Sequence, residues 1–160
     1  MHVHGQMIRI LGAAALAGAL ITTMTSAFAA PSGSASTTTP FTVRTSIAGG
    51  IKTIQNGQTL TFVFTEINQS ARGAYEDLDL TRVANVSVAD MTCVLPGGFA
   101  IFPDTPDCEP GLVKPGRHAS MVVTTTVTGA SGATASARVC LFNESTGVTA
   151  PCRTVSVKIA

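Results

Sequence analysis

The sequence predicts an all-β fold, a small antiparallel β-sandwich of about seven strands. Three observations carry that prediction. Apolar and polar residues alternate with period two in stretches such as "FTVRTSI" and "SMVVTTTVT", and no segment shows a convincing 3.6-residue period. Thr and Val dominate these stretches, and both residues suit a pleated, half-buried surface. Turn signals recur about every 8 to 12 residues, the spacing of a sandwich, with a closed barrel as the alternative.

Taken in order, the chain opens on an export signal over residues 1–29. A short polar region ends at Arg9, an apolar run extends from Ile10 to Ile21, and Ala27 with Ala29 forms an A-x-A site, so cleavage is expected after Ala29. The apolar run, about 12 residues, is short of the roughly 20 that a membrane helix needs, so no stable membrane span is expected after cleavage. Residues 30–40, "APSGSASTTTP", read as a disordered Ser/Thr/Pro linker with nothing large and apolar to bury. The sandwich domain is expected over residues 41–160.

Within the domain, Phe41, Val43, Thr45 and Ile47 line one face of a first strand. "AGGIK" and "QNGQ" are turns, the Asn56-Gly57 pair being the stronger signal. "TLTFVFTEIN" is a second strand with Leu60, Phe62 and Phe64 on one face. "QSARGAYEDLD" reads as a polar loop and "LTRVANVSVADMTC" as one or two strands. After a Pro/Gly-rich loop, "LVKPGRHA" turns at Pro115-Gly116 into the strand "SMVVTTTVT". "TASARVCLFN" and "TVSVKI" are the last two strands, joined by the loop "ESTGVTAPCR".

Charge excludes one class of partner. Nine acidic residues face ten basic ones, and one of the latter, Arg9, belongs to the leader. With no basic block or stripe, attraction to nucleic acid is not supported. The four cysteines are too widely spaced for zinc, which favours C-x₂₋₄-C units, and the domain has a single histidine, His118. An even number of cysteines in an exported chain favours disulfides. The pairing expected is Cys93–Cys108 and Cys140–Cys152. The turn-rich stretch between the first pair returns the chain on itself, and a hairpin through "NESTG" sets the second pair side by side. A bridge such as Cys93–Cys140 between sheets is the competing arrangement.

The run from Asn56 to Thr128 resembles the conserved repeat domain, an Ig-like family of bacterial cell-surface proteins. "NGQTLTFVFTEIN" is similar to its opening strand, "NVSVADMTCVLPGG" to its Val-rich strand with a Leu-Pro-Gly turn, and "LVKPGRHASMVVTTTVTG" to its Pro-Gly turn and Thr/Val strand. The family often carries a cysteine pair at the positions of Cys93 and Cys108. The segment from Asn68 to Val86 is longer and more acidic than usual, and "SARVCLFN" has an extra cysteine. The resemblance implies an extracellular Ig-like sandwich with no activity attached.

The chemistry-bearing residues point away from catalysis. No G-x-S-x-G occurs, and His118 follows a turn in a solvated setting, without an evident acid to orient it. No catalytic residue, cofactor or resident metal is expected. Two carboxylate groups, Glu76, Asp77 and Asp79, and separately Asp104, Asp107 and Glu109, offer oxygen ligands for calcium but lack the EF-hand order, and a charged solvent face is the plainer reading. The N-x-[ST] sites at Asn68, Asn85 and Asn143 are read as chance matches. The loop between Cys93 and Cys108 holds Phe99, Ile101 and Phe102. These side chains either plug the open end of the sandwich or form an exposed anchor for a partner. The functional expectation is a secreted, non-catalytic adhesion or interaction module, loosely associated with the cell envelope or released, whose partner is an extracellular protein or envelope component. A secreted small-molecule carrier of the antibiotic-chromophore apoprotein type and an extracellular protease inhibitor are the rival readings. A concave apolar cleft would favour the first, and a protruding loop beside a disulfide the second.

Overall fold

The structure is a computed structural model and describes residues 39–103, 105–143 and 146–160. The expected signal, residues 1–29, and residues 30–38 of the expected linker lie outside the described residues, as do Asp104, Glu144 and Ser145.

Ten strands form in chain order: β1 (Phe41–Ile47), β2 (Thr53–Ile54), β3 (Thr59–Asn68), β4 (Asp77–Ala84), β5 (Val86–Val94), β6 (Ala100–Ile101), β7 (Asp107–Cys108), β8 (His118–Val127), β9 (Thr134–Asn143) and β10 (Val148–Ile159). They make two five-stranded sheets, ordered β1-β3-β8-β5-β6 and β2-β10-β9-β4-β7. No α-helix occurs among the described residues; Ala48–Gly50 is a single 3₁₀ turn. Seven strands are long, and β2, β6 and β7 have two residues each. In chain order the seven long strands lie first-second-fifth-fourth in one sheet and seventh-sixth-third in the other. That is the constant-type immunoglobulin arrangement. The expected seven strands are therefore present. The three further strands occupy sheet edges, where short strands limit edge-to-edge association.

Alternation along β3 and β8 builds half the core. Leu60, Phe62 and Phe64 point inward from β3, and Met121, Val123 and Val127 from β8. Leu78, Val139, Leu141, Val157 and Ile159 close on them from the other sheet. Thr125 also points inward and donates its hydroxyl to the Leu60 carbonyl at 2.8 Å, which satisfies the one polar atom it buries.

The stretch expected as one or two strands is two, and they belong to different sheets. The switch falls at Asn85, in the left-handed region with φ 56°, a conformation Asn tolerates better than most residues. Its amide donates to the Thr134 carbonyl at 2.8 Å, and its own carbonyl accepts from the Thr128 amide at 3.0 Å. The backbone of Gly129 passes so close that a Cβ there would lie 2.6 Å from both Asn85 Cβ and Ile159 Cδ1.

Both expected disulfides are present, Cys93–Cys108 and Cys140–Cys152. Cys140 and Cys152 stand directly opposite each other in the β9–β10 ladder. Cys152 lies inside β10 rather than before it, because the last strand starts at Val148, within the stretch expected as loop. The first disulfide is close in sequence yet joins the two sheets, since Cys93 sits on β5 and Cys108 on β7.

Candidate interaction surface

The ladders place three connections at one end of the sandwich. Phe41 pairs with Asn68, Ile67 with His118 and Val94 with Ser120 in one sheet; Asp77 pairs with Phe142 and Asn143 with Val148 in the other. The described residues of three connections, 69–76, 95–103 with 105–117, and 146–147, therefore lie at the same end. In immunoglobulin variable domains, loops at one end of the sandwich form the binding surface.

Asn68 pins this end. It is fully buried, and its amide donates to the Arg72 carbonyl at 2.8 Å and to the Val113 carbonyl at 2.7 Å. Its side-chain oxygen accepts from the Ser70 amide at 2.8 Å and from the Ser70 hydroxyl at 2.7 Å. One side chain thus fixes two of the three connections. The N-x-[ST] site at Asn68 is consequently closed to solvent.

Four of the six exposed large apolar side chains, Tyr75, Phe99, Phe102 and Leu112, fall in these connections. Phe99 is 69% exposed and Phe102 72%. Ile101, between them, packs partly buried against the core and pairs with Cys93 through β6. Of the three aromatic and aliphatic residues expected in this loop, Ile101 in β6 packs toward the core, and Phe99 and Phe102, which flank β6, are exposed. A groove beside them is lined by Pro96, Gly97, Leu112, Lys114 and Arg117.

An acidic pocket of about 580 Å³ opens on the same end. All three connections or their flanking strand ends line it: Tyr75, Glu76 and Asp77, then Glu109 and Gly111, then Asn143. Glu76 is buried, and its Oε1 accepts from Asn143 Nδ2 at 3.0 Å and from Thr39 Oγ1 at 3.3 Å. The two carboxylate groups that are separate in sequence meet here, because β7 pairs with β4 and sets Asp79 opposite Asp107. Burial, with Asp107 and Glu109 beside it, holds the Asp79 carboxyl above its usual range. Thr105 donates its hydroxyl to Asp107. Among the described residues no three His, Cys, Asp or Glu side chains converge to hold a metal ion. Asp104 of the expected calcium group lies outside the described residues.

The sequence reading passed over Glu66. It points inward from β3 with no exposed surface, and neither carboxylate oxygen has a hydrogen-bond partner. Its ladder neighbours are Val43 on β1 and Ala119 on β8, which offer it no charge. Burial first, then the charges of Glu76 and Asp77, push its carboxyl up to about 8. The signal was legible: in "TLTFVFTEIN" the glutamate follows Leu60, Phe62 and Phe64 at spacing two. His118 stands apart, exposed in a groove with Arg44, Thr45, Ser46, Thr65 and Ile67.

No protein-family model matches the chain, and no curated protein matches it. Among solved structures, the chain is similar to the major pilin subunit of Bacillus cereus at 10% identity, covering 74% of this chain and 40% of the pilin, with a TM-score of 0.48. It is similar to the N-terminal domain of PorA at 18% identity, covering 72% of this chain and 97% of that one, TM-score 0.44. It is also similar to AvmM, described as catalysing macrocyclization in alchivemycin A biosynthesis, at 10% identity over 74% of this chain and 88% of that one, TM-score 0.45. At these identities the likeness concerns the fold alone.

Proposed function

We propose that the protein is a secreted, non-catalytic Ig-like interaction module of the cell envelope or medium, binding its partner through the loop-bearing end of the sandwich. The observation that carries this reading is the gathering of Tyr75, Phe99, Phe102 and Leu112 on that end, on connections fixed by Asn68 and by the Cys93–Cys108 bridge. Exposed aromatic side chains on a rigid support anchor interfaces at low cost in conformational entropy. Two disulfides suit an oxidising, extracellular compartment. The resemblance of residues 56–128 to the conserved repeat domain of bacterial cell-surface proteins agrees with that placement.

A photo-crosslinking residue placed at Phe102, with a control at Thr42 on β1, tests the reading on the envelope of the producing cells. A single crosslinked species from position 102, absent from position 42 and lost with Phe99→Ser, supports it. Equal labelling from both positions, or none, refutes it.

A protease inhibitor is the second reading, favoured by the exposed Phe99 to Phe102 stretch closed off by Cys93–Cys108. Tight inhibition of subtilisin or chymotrypsin, lost on Phe102→Ala, would select it. A carrier gains less support, because Glu76, Asp77 and Glu109 line the pocket beside Tyr75.

A further inference from the structure

We infer that the Cys140–Cys152 bond is a site of thiol–disulfide exchange, at which the thiolate of a partner attacks Cys152 and joins it in a mixed disulfide. The inference goes beyond the interaction-module reading and does not depend on which partner the loop-bearing end holds.

Position in the fold separates this bond from Cys93–Cys108, whose two cysteines are fully buried. On β9 the inward face is taken by Ala135, Ala137, Val139 and Leu141, so Cys140 and its ladder partner Cys152 lie on the outer face of the sheet. Cys140 is buried there, and Cys152 is half-buried. Cys152 also stands at an open edge. β10 pairs with β9 on one side, and on the other β2 reaches it only at Lys158 and Ile159. A thiolate displaces one sulfur from the other in line with the S–S bond. Attack on Cys152 therefore comes from beyond β10, where, among the described residues, no strand pairs in that register. Attack on Cys140 would have to come over β4, where Asp79 is its ladder partner and Asp107 stands opposite Asp79. Two acidic side chains on that path oppose an incoming thiolate.

Charge and hydrogen bonding favour the same direction. Arg153 is exposed, and its Nη1 donates to the Cys152 carbonyl at 3.1 Å, which sets a cation beside the residue under attack. Thr81 lies where β4 bulges between Leu80 and Arg82, and its Oγ1 is 3.6 Å from Cys140 Sγ and 3.3 Å from the Arg138 carbonyl. A disulfide sulfur carries no hydrogen, so the Thr81 hydroxyl is the donor, and it stabilises the thiolate that leaves. The partner's sulfur bonds to Cys152 Sγ, the Cys140–Cys152 bond breaks, and its electron pair stays on Cys140 Sγ, which takes a proton from water. One disulfide replaces another, with no net oxidation or reduction. A monothiol stops at the mixed disulfide, whereas the second sulfur of a dithiol displaces it and leaves both cysteines reduced. The β9–β10 ladder and the Cys93–Cys108 bond hold the sandwich together meanwhile.

The test incubates the full secreted protein, both bonds formed, with reduced glutathione under native conditions, quenches with N-ethylmaleimide and maps the peptides without reduction. Glutathione should appear on Cys152 and maleimide on Cys140, at least about tenfold faster than any opening of Cys93–Cys108. Thr81→Val should slow the exchange by about threefold or more and Thr81→Ser should restore it, with the urea midpoint unchanged in both. Should Thr81→Val lower the midpoint, Arg153→Gln, which alters an exposed side chain, carries the comparison and should also slow the exchange. A second arm uses a thioredoxin-type protein whose resolving cysteine is replaced by serine, so that a complex through Cys152 is trapped. Trapping without reaction of glutathione assigns the site to a protein dithiol, and reaction of glutathione alone assigns it to small thiols. Either result supports the inference. Adducts on Cys140, equal opening of the two bonds, or no adduct from either thiol would overturn it.

Discussion

Cys93 and Cys108 lie 15 residues apart in sequence and on opposite sheets of the sandwich, and the bond between them fastens one sheet to the other. Both are fully buried, so the bridge belongs to the core. The Cys140–Cys152 bond, by contrast, links two strands of one sheet that are already hydrogen-bonded, and Cys152 is half-buried.

The two bridges should therefore differ in importance. Closing a loop of this size contributes about 3 kcal/mol through the unfolded chain in either case. Replacing Cys93 and Cys108 by alanine also leaves a cavity between the sheets, so that double variant should lose more stability than Cys140→Ala/Cys152→Ala. Urea denaturation of both variants measures the difference, and peptide mapping without reduction checks the pairing. Equal losses would show that the inter-sheet position adds nothing.

Stability should fall as pH rises, through Glu66. Below about 4.5 its carboxyl is protonated in both folded and unfolded chains. Between 4.5 and about 8 the unfolded chain ionises it and the folded chain does not, so the unfolded state gains. Above about 8 both are ionised and the loss is complete, on the order of a few kcal/mol. Asp79, also raised, adds to the same trend. Denaturation at pH 5, 7 and 9 should show the decline, and Glu66→Gln should make the curve flatter and the protein more stable at pH 9. A wild-type curve that rises over this range contradicts the assignment.

Asn68→Ala should cost about 2 to 4 kcal/mol, because it removes four hydrogen bonds made by a fully buried side chain, although the Arg72 carbonyl keeps the Ser70 hydroxyl and the Val113 carbonyl keeps the Ala74 amide. Hydrogen exchange should quicken in residues 69–76 and 110–117 more than in β9 and β10. Asn68→Asp should be nearly as damaging, since a carboxylate cannot donate to the Arg72 and Val113 carbonyls.

Gly129→Ala should destabilise by about 1 to 3 kcal/mol, the usual range for overpacking, since the added methyl meets Asn85 and Ile159. At Gly57 nothing lies within 4 Å of an added Cβ, and the obstacle is a φ of +81° alone, so Gly57→Asn should cost less than Gly57→Ala. Thermal denaturation of the three variants separates crowding from backbone strain.

The sequence by itself determined the β class, the seven long strands and the partners of all four cysteines. These depend on period-two alternation, on turn residues and on proximity along the chain, all of which are local. It also placed Glu66 on the apolar face of β3, although a carboxylate among Leu60, Phe62 and Phe64 gains meaning only once that face is known to be buried. Only the tertiary structure decided that the Cys93–Cys108 bridge spans the sheets, because Asn85 sends β4 and β5 into different sheets and alternation does not say which sheet a strand joins. Likewise only the pairing of β4 with β7 brings Asp79 to Asp107 and Glu76 toward Glu109. Those contacts cross about 30 residues of intervening chain, and pairing at that distance is set by how the two sheets share one core rather than by any local preference of the residues that meet.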